Sequence, residues 1–187
     1  MIIERRRQID SAYRVKAGIA AMNFLTQHPL FEKSQRIACY FATPDEFDCT
    51  PIINAINIHK KHCYLPVLTK EKSLQFASYL PGDALQPNQY QIPEPVNSSY
   101  FPAENLDLVI MPLVAFDEEG NRLGQGGGYY DKTFAFKLES KNDKPFLLGL
   151  GFEDQRVTLL SRNKWDVKCD GLLTEHGLII LNSRSFK

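Results

Sequence analysis

The chain has 187 residues, 43% of them hydrophobic, with 22 basic and 22 acidic side chains and a formal net charge of zero. That length fits a single domain spanning residues 1–187 with a sizeable core. The neutral charge balance carries neither a nucleic-acid nor a membrane-surface signal. Four scattered cysteines (Cys39, Cys49, Cys63 and Cys169) form no C-x-x-C pair. This argues against a metal knuckle or a disulfide framework and for reduced thiols. No apolar run reaches the roughly 20 residues that a membrane span needs, and no signal-peptide pattern opens the chain. A soluble, cytoplasmic protein is expected, either a monomer or a weak dimer.

From Glu4 to Gln27, apolar residues at Ile9, Tyr13, Ala17, Ala20 and Phe24 follow a helical spacing, and Asp10 is placed to cap a second helical piece. Arg5-Arg6-Arg7 reads as a solvated helix face. Ile37–Phe41 is a short apolar run predicted to be a buried strand. Thr50-Pro51 reads as an N-cap followed by proline at the first helical position, opening a helix that carries Ile52, Ile53, Ile56 and Ile58. A strand is predicted over His62–Val67, ended by Pro66, and another over Leu74–Tyr79. The Pro/Asn/Gln/Ser-rich segment from Pro81 to Pro102 reads as a loop excursion.

Leu106–Met111 is the clearest central strand, stopped by Pro112. A helix is expected over Tyr130–Leu138, a strand over Phe146–Gly151, and a strand or hairpin over Leu172–Leu181 turning at Glu175-His176-Gly177. Helices alternating with short buried strands predict a three-layer α/β/α sandwich with a mostly parallel central sheet. In such sheets ligands sit at the carboxyl ends of the strands.

One segment concentrates the chemistry. Asn121-Arg122-Leu123-Gly124-Gln125-Gly126-Gly127-Gly128-Tyr129-Tyr130-Asp131 holds four of the 11 glycines within five positions. Glycines expose backbone N–H groups and admit an anion closely, Arg122 adds a permanent positive charge, and Asp131 suits a hard cation. The loop is neither a P-loop nor a dinucleotide fingerprint, because no Gly-Lys-Ser/Thr ends it and Tyr129 stands where the third glycine would be. On spacing alone, a phosphate site and a structural turn both remain open. The same holds for Asp45, Glu46 and Asp48, which form either a site or a polar lead-in to the next helix. Asp131, Asp166 and Asp170 are acids outside obvious surface helices. The four histidines have no metal spacing, and Trp165 reads as a packing residue.

The loop string closely resembles the signature of the 5-formyltetrahydrofolate cyclo-ligase family. Further segments agree in order: Tyr40–Thr50, Tyr64-Leu65-Pro66-Val67, Ile92-Pro93-Glu94-Pro95, Pro112–Asp117, Leu148–Phe152 and Trp165-Asp166-Val167. The resemblance spans nearly the whole chain. It implies ATP- and Mg²⁺-dependent conversion of 5-formyltetrahydrofolate to 5,10-methenyltetrahydrofolate, with ADP and phosphate released.

It also implies site roles. Arg122, Leu123, Gly124, Gln125, Gly126, Gly127, Gly128, Tyr129 and Tyr130 would hold ATP. Phe41, Glu46 and residues Gln125 to Tyr129 would face the folate. Asp131 and Asp166 would associate with Mg²⁺, while Arg122 and Tyr129 would act nearest the reacting atoms. Family members usually carry a Lys-x-x-x-Arg stretch on the first helix. Here Arg5-Arg6-Arg7-Gln8-Ile9 corresponds to a later part of that helix, and the preceding turns are expected to be missing. That departure keeps a second reading in view, a non-catalytic reduced-folate-binding homologue with impaired use of ATP.

Overall fold

The computed structural model describes residues 2–96, 99–139 and 144–182. The expected first helix is split in two, α1 (Ile2–Gln8) and α2 (Ser11–Thr26). Asp10 makes the break. Its Oδ2 accepts the N–H groups of Ala12 at 2.9 Å and Tyr13 at 3.2 Å, capping α2 as the sequence predicts. The short helix α3 (Pro29–Lys33) follows, capped by His28, whose Nδ1 accepts from the Leu30 N–H.

Strand β1 covers Arg36–Ala38 only, shorter than the predicted Ile37–Phe41. Helix α4 (Thr50–Ile58) starts one residue earlier than predicted, with Cys49 at the cap and Thr50 already helical. The capping side chain is neither of these: Asp48 Oδ1 accepts the Thr50 N–H at 2.9 Å. Strand β2 (His62–Leu68) runs through Pro66 rather than stopping there. Pro66 pairs with Phe76 on one side, and on the other the pairing with β1 ends at Tyr64, so the missing N–H breaks no ladder bond.

Strand β3 (Leu74–Ser78) is followed by an excursion that is not wholly irregular. It contains β4 (Leu85–Pro87) paired with β5 (Pro93–Pro95), then β6 (Tyr100–Phe101), which joins the edge of the main sheet beside β3. Strand β7 (Leu108–Pro112) includes the proline expected to stop it, again at a position where only one neighbour pairs. A small hairpin of β8 (Ala115–Phe116) and β9 (Arg122–Leu123) leads into the glycine loop. The single helix expected next is two short ones, α5 (Tyr129–Thr133) and α6 (Phe136–Glu139). Strands β10 (Phe146–Leu150), β11 (Gly171–Thr174) and β12 (Gly177–Ile180) complete the sheet, and Glu175 and His176 make the predicted turn.

The main sheet has the order β12-β11-β10-β7-β1-β2-β3-β6. The five central strands are parallel, and the outer ones pair antiparallel. Alternation divides the core cleanly. Ile37, Leu108, Ile110, Phe146 and Leu148 face one cluster with residues of α2, α3 and α4, whereas Ala38, Val109, Met111 and Leu147 face another with Phe116, Phe134 and Val167. Burial on both faces explains why these strands read as unbroken apolar runs. The second layer is thin, made of α5, α6 and neighbouring loops.

From β1 the chain proceeds outward to β2 on one side, while β7, β10 and β11 build the other. The strand order therefore reverses between β1 and β7, and a crevice opens at the carboxyl ends of these two strands.

Candidate active site

A cavity of about 1040 Å³ occupies that crevice. Tyr40 and Phe41, just beyond β1, line it together with Pro112 and Leu113 at the end of β7. Arg122 and the whole run from Leu123 to Lys132 form another wall, and Asn163, Trp165 and Asp166 close a third side. Every residue that the family resemblance assigns to the site lines this one space: Phe41, Glu46, Arg122 to Tyr130, Asp131 and Asp166.

The glycine loop is shaped from behind by Asp117. This fully buried carboxylate accepts N–H bonds from Glu119, Asn121 and Leu160 and a side-chain bond from Asn121. Burial opposes its ionisation, but those donors prevail and hold the carboxyl below its ordinary range. Beyond the β8–β9 hairpin, Gly126 (φ 90°) and Gly128 (φ 67°) adopt left-handed conformations, and a Cβ on Gly127 would come within 2.8 Å of the Tyr129 ring. Larger residues would strain this backbone, whose N–H groups lie on an open loop beside the cavity.

Arg122 is the buried cation of the site. Its Nη2 donates to Asp131 Oδ1 at 2.6 Å, its guanidinium lies 5.8 Å from the Tyr130 ring centroid, and its buried Nε has no hydrogen-bond partner among the described residues. Asp131 Oδ1 also accepts the Val167 N–H at 3.1 Å, and Asp166 Oδ2 accepts the Asn163 N–H at 2.7 Å. Asp170, the third acid, is elsewhere. It is tied to Lys137 and the Leu147 N–H and braces the sheet.

At the opposite wall, Glu46 is buried. Its Oε2 accepts the Thr43 N–H at 2.9 Å, and Arg14 Nη1 donates to its backbone oxygen at 3.3 Å. Its acidic neighbours diverge from it: Asp45 pairs with Arg7 at 3.0 Å, and Asp48 caps α4. The Phe41 ring meets Tyr79 edge-on at 5.4 Å.

Sequence reasoning missed several residues. Arg6 is not on a solvated face. It is 2% exposed, donates to the Leu113 carbonyl at 3.4 Å, and has its pKa lowered by burial against the pull of Glu46 and Asp45. Trp165 is not packed but exposed on the cavity rim. Glu94 and Tyr90, from the excursion read as a loop, also line the cavity. Glu94 Oε1 holds the Leu68 N–H and Asn88 Nδ2, and a hydrogen bond with Tyr90 raises the Tyr129 pKa. The Ile92–Pro95 match was the available signal for this wall.

Fold and site together define an α/β enzyme with its principal candidate site in a cavity at the carboxyl edge of a parallel sheet. A model described as the 5-formyltetrahydrofolate cyclo-ligase family matches residues 1–175. The 5-formyltetrahydrofolate cyclo-ligase of Haemophilus influenzae is 37% identical over 184 residues, covering 89% of this chain and 96% of that one. The Escherichia coli K12 cyclo-ligase is 32% identical over 178 residues, covering 93% and 96%. The solved Aquifex aeolicus 5,10-methenyltetrahydrofolate synthetase superposes with a TM-score of 0.81 at 29% identity, covering 96% of this chain and 89% of that one. The chain belongs to the 5-formyltetrahydrofolate cyclo-ligase family. Among the described residues, no helix is long and apolar enough to cross a membrane.

Proposed function

We propose that the protein converts 5-formyltetrahydrofolate to 5,10-methenyltetrahydrofolate at the expense of ATP, in a Mg²⁺-dependent reaction in the cytoplasm. The observation that carries this reading is the single cavity joining an anion-suited end to an apolar and acidic end. Arg122, the glycine loop, Asp131 and Asp166 form the first, and Phe41 and Glu46 belong to the second.

The charge inventory supports a metal. Four carboxylates (Glu46, Glu94, Asp131 and Asp166) line the cavity against two cations, Arg122 and Lys132. A polyphosphate entering such a space needs additional positive charge. Among the described residues, no group of three or more metal-binding side chains forms a cage. That pattern fits Mg²⁺, which takes one or two carboxylates and completes its shell with water and phosphate oxygens. Asp131 and Asp166 would hold it, and it would neutralise charge on the phosphates.

The chemistry of the chain's own residues is positioning and electrostatics. The γ-phosphoryl group passes to the formyl oxygen and ADP is released. N10 then attacks the formyl carbon and loses its proton, and the carbon–oxygen bond breaks as phosphate departs, closing the ring. Arg122, which lines the cavity, stabilises the phosphoryl oxygens. The loop amides from Gly124 to Gly128 orient the phosphates. Tyr129, whose hydroxyl titrates above its ordinary value, stays protonated at neutral pH and serves as a donor beside the formyl group. Glu46 accepts N–H groups of the pterin edge, with Phe41 as the apolar wall.

The test is the absorbance of the conjugated methenyl product, with enzyme, 5-formyltetrahydrofolate, ATP and Mg²⁺ each omitted in turn. A signal requiring all of them is expected. The small number of cavity cations favours one rival, a folate-binding protein with poor ATP use. Folate binding by calorimetry without turnover would establish that rival instead.

A further inference from the structure

We infer that Trp165 is the stacking platform for the nucleobase of the nucleotide co-substrate. This rests on the reading that ATP enters the cavity. Trp165 is the only tryptophan in the chain, is 66% exposed, and lines the cavity rim. No ring or cation packs on its indole among the described residues. A large apolar ring held open to water beside a cavity offers a face to a planar ligand.

The ring is carried on a braced turn rather than a loose loop. The Asn163 N–H donates to Asp166 Oδ2 at 2.7 Å, and the Asp166 N–H donates back to the Asn163 carbonyl at 3.2 Å. Arg162 Nε and Nη2 both donate to the Asp166 carbonyl at 3.1 Å. Two residues on, buried Val167 donates its N–H to Asp131 Oδ1, the atom that also accepts from Arg122. Two residues span at most about 7 Å, so the Trp165 backbone is fixed beside the phosphate-suited end.

Two exposed aromatic rings line the cavity, and two planar ligands must enter it. Tyr90 hydrogen-bonds Tyr129 on the excursion wall, whereas Trp165 adjoins Asp166. Once the phosphates lie on Arg122 and the glycine loop, the nucleoside end must leave by the rim, and Trp165 is the aromatic surface on the acid-bearing side. Indole–base stacking tolerates any purine, so the platform supplies affinity more than choice of base.

A single tryptophan makes the test direct. ATP with Mg²⁺, added without folate, should quench intrinsic fluorescence with the same dissociation constant that calorimetry gives. Magnesium tripolyphosphate should bind by calorimetry with no quenching. W165A should weaken ATP roughly five- to hundred-fold, leaving tripolyphosphate binding and the folate KM within about two-fold of wild type, and W165F should retain most of the affinity. If ATP binds by calorimetry but W165A binds it as the wild type does, the stacking role is overturned while the ATP reading stands. If ATP does not bind the wild type at all, the ATP reading falls and takes this inference with it.

Discussion

Arg122 and Asp131 form a 2.6 Å ion pair that closes the glycine loop like a clasp, with the arginine side chain 5% and the aspartate side chain 24% exposed. The cation proposed for the phosphates and a carboxylate proposed for the metal thus neutralise each other across the loop. A magnesium–nucleotide complex would replace that single contact with two, phosphate on Arg122 and metal on Asp131, so both partners change roles together.

Asp131→Asn removes the carboxylate from both roles. Turnover should fall at limiting Mg²⁺ and recover in part at high Mg²⁺. Losing a charge-assisted bond to a buried arginine should also lower stability by roughly 1.5–3 kcal/mol. Steady-state rates across a Mg²⁺ titration, read beside urea denaturation, separate the two effects. Activity unchanged at every Mg²⁺ level would remove the metal role.

Glu46→Gln keeps the shape of the acidic turn but replaces an ionised acceptor with a neutral amide. The folate KM should rise about ten-fold, the scale of one charge-assisted hydrogen bond, with the ATP KM little changed. Equal rises in both would reject the pterin assignment.

Asp107 predicts the acid limb of stability. Its side chain is 9% exposed, and burial, the largest single influence, disfavours its charge. Bonds from Arg36, Lys144 and the Gln35 and Arg36 N–H groups together outweigh burial and hold the carboxyl well below its usual range. A depressed folded-state pKa stabilises the fold fully above the unfolded value of about 3.9, and that contribution is lost as pH falls from there toward the folded value. Denaturation midpoints should therefore drop steeply below about pH 4. Asp107→Asn should flatten that slope and cost roughly 1.5–3 kcal/mol at neutral pH. An unchanged slope would mean other carboxylates set the acid limit.

All four cysteines are buried and free. Burial pushes the Cys169 thiol up to about 12 and raises Cys39 well above its ordinary value. Thiolate is the reactive form, so a disulfide-exchange reagent near pH 8 should label almost no thiol in the native protein and all four after denaturation. Rapid labelling of the native fold would contradict this packing.

What the sequence revealed depended on the range of each signal. The α2 cap at Asp10 and the central strands β7 and β10 were legible because capping and buried apolar runs are local. The glycine loop, Glu46 and Asp131 were legible as a recognisable string, although only the fold shows that one cavity holds them all. Pro66 and Pro112 misled, because whether a strand tolerates proline depends on which neighbour pairs at that position. Arg6 and Trp165 were read the wrong way round. A basic run gives no hint that one of its members is buried under a distant carbonyl, and a lone tryptophan gives no hint that its ring stays in water.

Arg14 reaches three backbone oxygens at once: Arg6 and Ile9 around the end of α1, and Glu46 across the cavity wall. Helix ends leave carbonyls that need donors, and one guanidinium serves these while pinning the acidic turn. The first helix is thus mechanically continuous with the surface proposed to grip the pterin. A purification tag fused ahead of α1 would sit one short helix from that surface, so kinetic work on this protein calls for cleaving such a tag before the folate KM is measured.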